Sequence, residues 1–224
     1  MNTLLQHDSD YKIREEVEAE LRWAPELYDA ARIGVSVHNG VVTLSGEVPS
    51  YPEKVVAGKA ALRTKGVTAI ANDLIVRYNS TIYSDAHLAG EAQDALRLNA
   101  LVPRRGIEIE VRSHVIFLGG AVDWDYQRQA AEHSLEHLPG VHDVVNDITL
   151  RARAASGDTH DKIRRALVRS ANIDANRINV EVDGTAVTLT GTVSSFAEKK
   201  QAAIAVWSSP NVKTVHNELM IEAP

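Results

Sequence analysis

Cysteine is absent from all 224 residues. Its absence excludes disulfides, thiolate metal sites, a cysteine nucleophile and a lipid-modified cysteine. Long apolar runs are missing too, since none approaches the roughly 18 residues that a spanning helix needs. The opening MNTLLQHDSDYK lacks the basic, apolar and small-residue regions of an export signal, so the expected compartment is the cytoplasm. There is no basic excess: the formal charge of −6 argues against whole-surface attraction to nucleic acid or anionic lipid. No glycine-rich phosphate loop occurs, no G-x-x-G loop of the RNA-binding kind, and no motif pairs the nine histidines with a nucleophile. No enzyme, cofactor, metal or nucleic-acid partner is therefore expected. An apolar fraction of 44% with 24% charged residues fits an ordinary globular chain.

What is present is one pattern, three times. Placing Gly46 over Gly120 and Gly191 gives offsets of 74 and 71 residues. Upstream, IGVSV (33–37), IEIEV (107–111) and INVEV (178–182) alternate apolar and polar residues, the period of a strand with one buried face. The turns His38-Asn39-Gly40, Arg112-Ser113-His114 and Asp183-Gly184-Thr185 lead into VVTLSG, VIFLGG and AVTLTG. Each pair reads as a hairpin. A helix start follows. Ser50 with Glu53 and Ser195 with Glu198 fit capping boxes, while Asp123 or Asp125 is the expected cap in the middle copy. Ala57, Ala131 and Ala202, then Ala60, Ser134 and Ala205, form a stripe small enough for close approach to a sheet.

A closing strand comes next, as AIANDLIV (69–76), DVVNDITL (143–150) and TVHNELMI (214–221), with Asn72, Asn146 and Asn217 coinciding. Ahead of each hairpin lies an amphipathic helix, marked by Val17 and Leu21, by Ala92 and Leu96, and by Ile163 and Leu167. The expected fold class is α+β: three tandem αββαβ domains, each a three-stranded mixed sheet with two helices. Their expected spans are 10–76, 85–150 and 158–221. Gly46, Gly120 and Gly191 have a structural role here, at the point where the second strand leaves the sheet. Trp23 and Trp207 are the candidates for burial between copies.

The pattern resembles the BON domain, the module of bacterial osmotically inducible periplasmic proteins and outer-membrane lipoproteins. The hairpin VHNGVVTLSGEV, its single glycine, the small-residue helix and the endings GVTAIANDLIV and GVHDVVNDITL carry the resemblance over most of the chain. It implies a binding or adaptor protein without catalytic residues, associating with anionic phospholipid surfaces or envelope proteins in osmotic or other stress. It also implies a periplasmic alternative to the cytoplasm. Three copies stand where two are common.

Candidate binding residues lie at the start of the second helix of each copy. Lys54, Arg128 and Lys199, with Lys200, follow Tyr51, Trp124 with Tyr126, and Phe196. A ring at the polar boundary beside a cation suits a lipid headgroup; a packed ring beside a solvated lysine explains the same pattern. Charge is uneven. The first copy has 8 basic and 10 acidic residues, the second 5 and 11, the third 8 and 7. In the third, Lys162, Arg164, Arg165 and Arg169 follow closely on the RAR of 151–153, which makes it the favoured copy for an anionic surface. His133 and His137 flank Glu136 at helical spacing, which a solvated helix face accounts for. The aligned asparagines support an alternative, a cytosolic scaffold sensing potassium or a small solute, although satisfying the strand backbone also explains them.

Overall fold

The computed structural model describes residues 2–77, 83–151, 161, 163–166, 177–209 and 212–222. The first repeat opens with helix α1 (Asn2–Trp23) and a 3-10 turn at Ala30–Arg32, then strands β1 (Ile33–His38) and β2 (Val41–Val48). Helix α2 (Tyr51–Arg63) and strands β3 (Ala69–Asn72) and β4 (Ile75–Val76) complete it. The second repeat has the same order: α3 (Asp85–Leu98), β5 (Ile107–Arg112), β6 (Val115–Val122), α4 (Asp125–Leu135), β7 (Asp143–Asn146) and β8 (Thr149–Leu150). The third has β9 (Ile178–Asp183), β10 (Ala186–Val193), α5 (Phe196–Trp207), β11 (Thr214–Asn217) and β12 (Met220–Ile221), with helical residues at 163–166 ahead of them. The fold is α+β, built from three copies of one motif.

Each sheet has four strands where the pattern predicts three. The extra strand arises because the closing strand breaks in two, and both halves pair in parallel with the long hairpin strand. In the second and third repeats the aligned asparagine turns the chain at the break. Asn146 Nδ2 donates to Arg128 O at 3.1 Å and to Glu132 Oε2 at 2.9 Å, while its Oδ1 accepts the Ile148 N–H. Asn217 repeats this, donating to Lys199 O at 2.9 Å and accepting from Leu219 N. A side chain bonded to the N–H two residues on imposes a local turn, and the amide fastens the strand to the helix behind it. The expectation that these asparagines satisfy backbone is met at Asn146 and Asn217.

The helices lie close because their inner faces are small. Ala57, Ala60 and Ala61 of α2 are fully buried, as are Val42 and Leu44 of β2; Ala131 and Leu135 are buried, as are Ile116 and Leu118. In the third repeat Ala202 and Val206 join Ile163, Val187 and Leu189 in one core. Leu167, expected to mark the same helix, lies outside the described residues. Trp207 leans on that core, whereas Trp23 is 86% exposed.

The three aligned glycines share one geometry. Gly46, Gly120 and Gly191 have φ of 115°, 99° and 118°. A Cβ on them would lie 2.3, 2.2 and 2.1 Å from the carbonyl oxygens of Arg32, Gly106 and Arg177 at the entry to the neighbouring strand. Only a residue without a Cβ fits.

Contacts gather the chain into two compact units. One comprises Met1–Gly46, Val56–Asp73 and Ala152–Pro224; the other comprises Glu47–Val55 and Leu74–Arg151. The second unit thus includes the first turn of α2.

Candidate functional site

The helix caps set the surroundings of the candidate cations. Ser50 and Ser195 cap as expected, accepting from the N–H groups of Glu53 and Glu198 at 3.4 and 3.2 Å. In the middle repeat neither Asp123 nor Asp125 is the cap. Trp124 occupies that position, and Gln127 Oε1 reaches back to accept the N–H groups of Asp123 and Trp124 at 3.0 and 3.1 Å. Asp125 is released to a different task. Its carboxylate, only 5% exposed, accepts from Arg128 and, at 2.5 Å, from Gln129 Nε2.

All three aligned cations meet acceptors within the protein. Lys54 Nζ donates to Asp143 Oδ2 at 3.1 Å, inside the compact unit that holds both residues. Arg128 pairs with Asp125, and Lys199 Nζ donates to Leu219 O at 2.7 Å. The rings diverge. Tyr51 is buried and, beside Asp143, its hydroxyl is pushed well above its ordinary range, chiefly by burial and then by that carboxylate. Trp124 and Phe196 are half-buried, and Tyr126 is 53% exposed. Lys200, Arg164 and Arg165 are exposed, Arg165 Nε donating to Asp161 O at 3.2 Å. Lys162 and Arg169 lie outside the described residues. His133 Nδ1 sits 3.0 Å from Glu136 Oε2 and its ring meets His137 edge-on. No cluster of three metal-ligating side chains occurs among the described residues.

The structure adds a carboxylate that sequence reasoning missed. Asp85, first in α3, accepts the N–H groups of Ser113 and His114 at 2.9 Å each. Asp10 does the same for Asn39 and Gly40. These turn residues hold φ between 49° and 75°, and the carboxylate secures their N–H groups. The signal available was an acidic residue at the start of the first helix, but its partner lies 28 residues away in the second repeat.

Beside that turn, the rings of His114 and His142 stack at 4.8 Å. Burial, then the neighbouring His114 and Lys54, hold His142 below its ordinary value of 6.5, against an opposing pull from Asp85. The folded ring therefore takes up a proton less readily than the unfolded one. Stability conferred by the neutral ring is present above about 6.5 and is lost as the pH falls below it. Melting temperature is expected to drop between pH 7 and pH 5, and His142→Asn to flatten that slope. Equal slopes for the two proteins would refute the assignment.

The second repeat also has an open groove between α3 and the edge strand β5, with a volume of about 570 Å³. Its apolar wall is Leu96, Val102, Ile107 and Ile109, and Arg97 and Arg104 line it with Pro103. Leu98, the last residue of α3, and Leu101, on the loop that follows, are 79% and 58% exposed. The apolar and basic residues alternate openly in LRLNALVPRRG (96–106), but an alignment built on what the repeats share passes over that segment.

Family models match the BON domain at residues 9–78, 84–152 and 156–223. The chain belongs to the BON domain family. Among curated proteins, it is 32% identical over 121 residues to osmotically-inducible protein Y of Escherichia coli (strain K12). That match covers 52% of this chain and 60% of the relative, less than two thirds of the relative's length. Among solved structures, two of CdsD, a structural protein of the type III secretion system of Chlamydia trachomatis, align with 93% of this chain at 14% identity. They are covered to 96% and 91%, with TM-scores of 0.26 and 0.27. No helix among the described residues is long and apolar enough to cross a membrane.

Proposed function

We propose that this BON protein is a non-enzymatic adaptor of the osmotic or envelope stress response that binds a protein partner through its second repeat. The open α3–β5 groove carries the reading. It offers an apolar wall, two exposed leucines beside it and two guanidinium groups, the mixture that protein interfaces favour over the rest of a surface. The second repeat has 5 basic against 11 acidic residues, so an anionic leaflet would repel it as a whole. A partner segment carrying one or two negative charges needs only the local arginines.

A second reading, adsorption to anionic phospholipid, draws on the third repeat. Its excess of 8 basic over 7 acidic residues and its exposed Arg164, Arg165 and Lys200 would each add on the order of 1 kcal/mol near a charged leaflet. The potassium-sensing alternative gains nothing from Asn146 and Asn217, whose oxygens accept backbone N–H groups.

A photo-crosslinking residue placed at Gln93 in living cells, and another at Lys200, separates the readings. Protease-sensitive adducts at Gln93 are the expected result. Adducts that extract with lipid, or adducts at Lys200 alone, would overturn the protein-partner reading.

A further inference from the structure

Helix α3 contains a glycine that the fold does not require. Leu88, Ala92 and Leu96 form its buried face, and Gly90 lies off that face, exposed. A Cβ built on Gly90 meets nothing within 4 Å, and its backbone shows no positive φ. Glycine in a helix interior costs roughly 1 kcal/mol relative to alanine, and no steric contact in the protein offsets that cost. At the matching position, 75 residues earlier on the helix that opens the first repeat, stands Glu15. The missing side chain has one visible consequence: Gly90 and Ala89 line the α3–β5 groove and leave it open.

The other wall of the groove is a strand edge. In the β5–β6 ladder Arg112 pairs with Val115 across the two-residue turn, and Ala121 N donates to Gly106 O at 2.8 Å. Alternation then turns the backbone groups of Glu108 and Glu110 toward β6 and those of Ile107, Ile109 and Val111 outward. Among the described residues no strand pairs with that edge. Ile107 and Ile109 therefore present outward N–H and C=O groups on the strand whose side chains line the groove. An apolar groove between a helix and an open strand edge is the setting in which an extended peptide adds as a further strand.

Charge gives the added strand a direction. The loop from Val102 to Arg104 lines the groove ahead of the first residue of β5, and Arg97 lines it from the end of α3. Among the described residues Arg97 pairs with Asp94 at 3.1 Å, with side chains 66% and 65% exposed, and such a surface pair is readily released. A strand antiparallel to β5 runs toward these arginines and ends there. We propose that the groove of the second repeat captures the C-terminal segment of a partner protein as a strand antiparallel to β5, its terminal carboxylate meeting Arg97 and Arg104. The inference rests on the protein-partner reading and specifies its mode.

The test is selection, on the full chain, from a library of hexapeptides displayed with free C-termini, followed by affinity measurement on the enriched peptides. Enriched peptides are expected to alternate apolar residues. Amidating their C-terminus, or the double change Arg97→Glu with Arg104→Glu, is expected to weaken binding at least about tenfold, some 1.4 kcal/mol. Gly90→Leu fills the groove, and is expected to abolish binding while raising the melting temperature, which separates loss of the site from loss of the fold. Failure to enrich any peptide over the Gly90→Leu protein, or equal binding of acid and amide, would overturn the inference. If protein adducts still formed at Gln93, the protein-partner reading would survive that failure; lipid adducts there would remove both.

Discussion

Alanine at Gly120 is expected to lower the melting temperature of the second repeat by at least about 10 °C. The residue sits at φ 99°, in a region that costs other residues of order 1–3 kcal/mol. The added methyl would also lie 2.2 Å from Gly106 O. Neither partner can withdraw cheaply. Ala121 N donates to that same carbonyl at 2.8 Å, and Ile107 is paired with Gly120 itself. Relieving the clash means opening the start of the ladder, so the combined cost is about 3 kcal/mol or more. A domain of this size shifts by about 4–8 °C per kcal/mol, and a small core leaves little margin. Circular dichroism melts check it. An unchanged transition would show that the glycine is incidental.

Leu189→Ala is expected to be comparably severe in the third repeat, at about 3 kcal/mol. Leu189 is fully buried on β10, in one core with Ile163, Val187, Ala202 and Val206. Truncation loses the transfer free energy and leaves a cavity that a close-packed core closes only in part. Leu98→Ala is the matched control, since Leu98 is 79% exposed and its loss is expected to change stability by no more than about 0.5 kcal/mol. Urea titration of the two variants measures the difference. Similar midpoints for both would contradict the placement of the core.

Much of the fold was legible in the sequence because it is written three times. A period-two run, a polar turn and a glycine each occur elsewhere by chance; their coincidence at offsets of 74 and 71 residues does not. Asn72, Asn146 and Asn217 were visible for the same reason. The site was less legible, and for the converse reason. Gly90 has no counterpart glycine in the other copies and the segment 96–106 is not part of the shared pattern, so an argument from repetition passes over them. The acceptors of Lys54 and Lys199 lie 89 and 20 residues away, and no local pattern reveals that a basic side chain will bend toward them. Asp125 was read as a cap because it opens a helix, yet the long side chain of Gln127 reached those donors and left Asp125 to Arg128 and Gln129.

The central claim is that one hairpin, closed by a glycine for one steric reason, is used in each repeat. Amide hydrogen exchange on the Gly120→Ala protein tests it most directly. Protection is expected to fall first along β5 and β6, at residues 107–122, where the displaced carbonyl belongs. Undiminished protection there, with the loss appearing elsewhere, would contradict it.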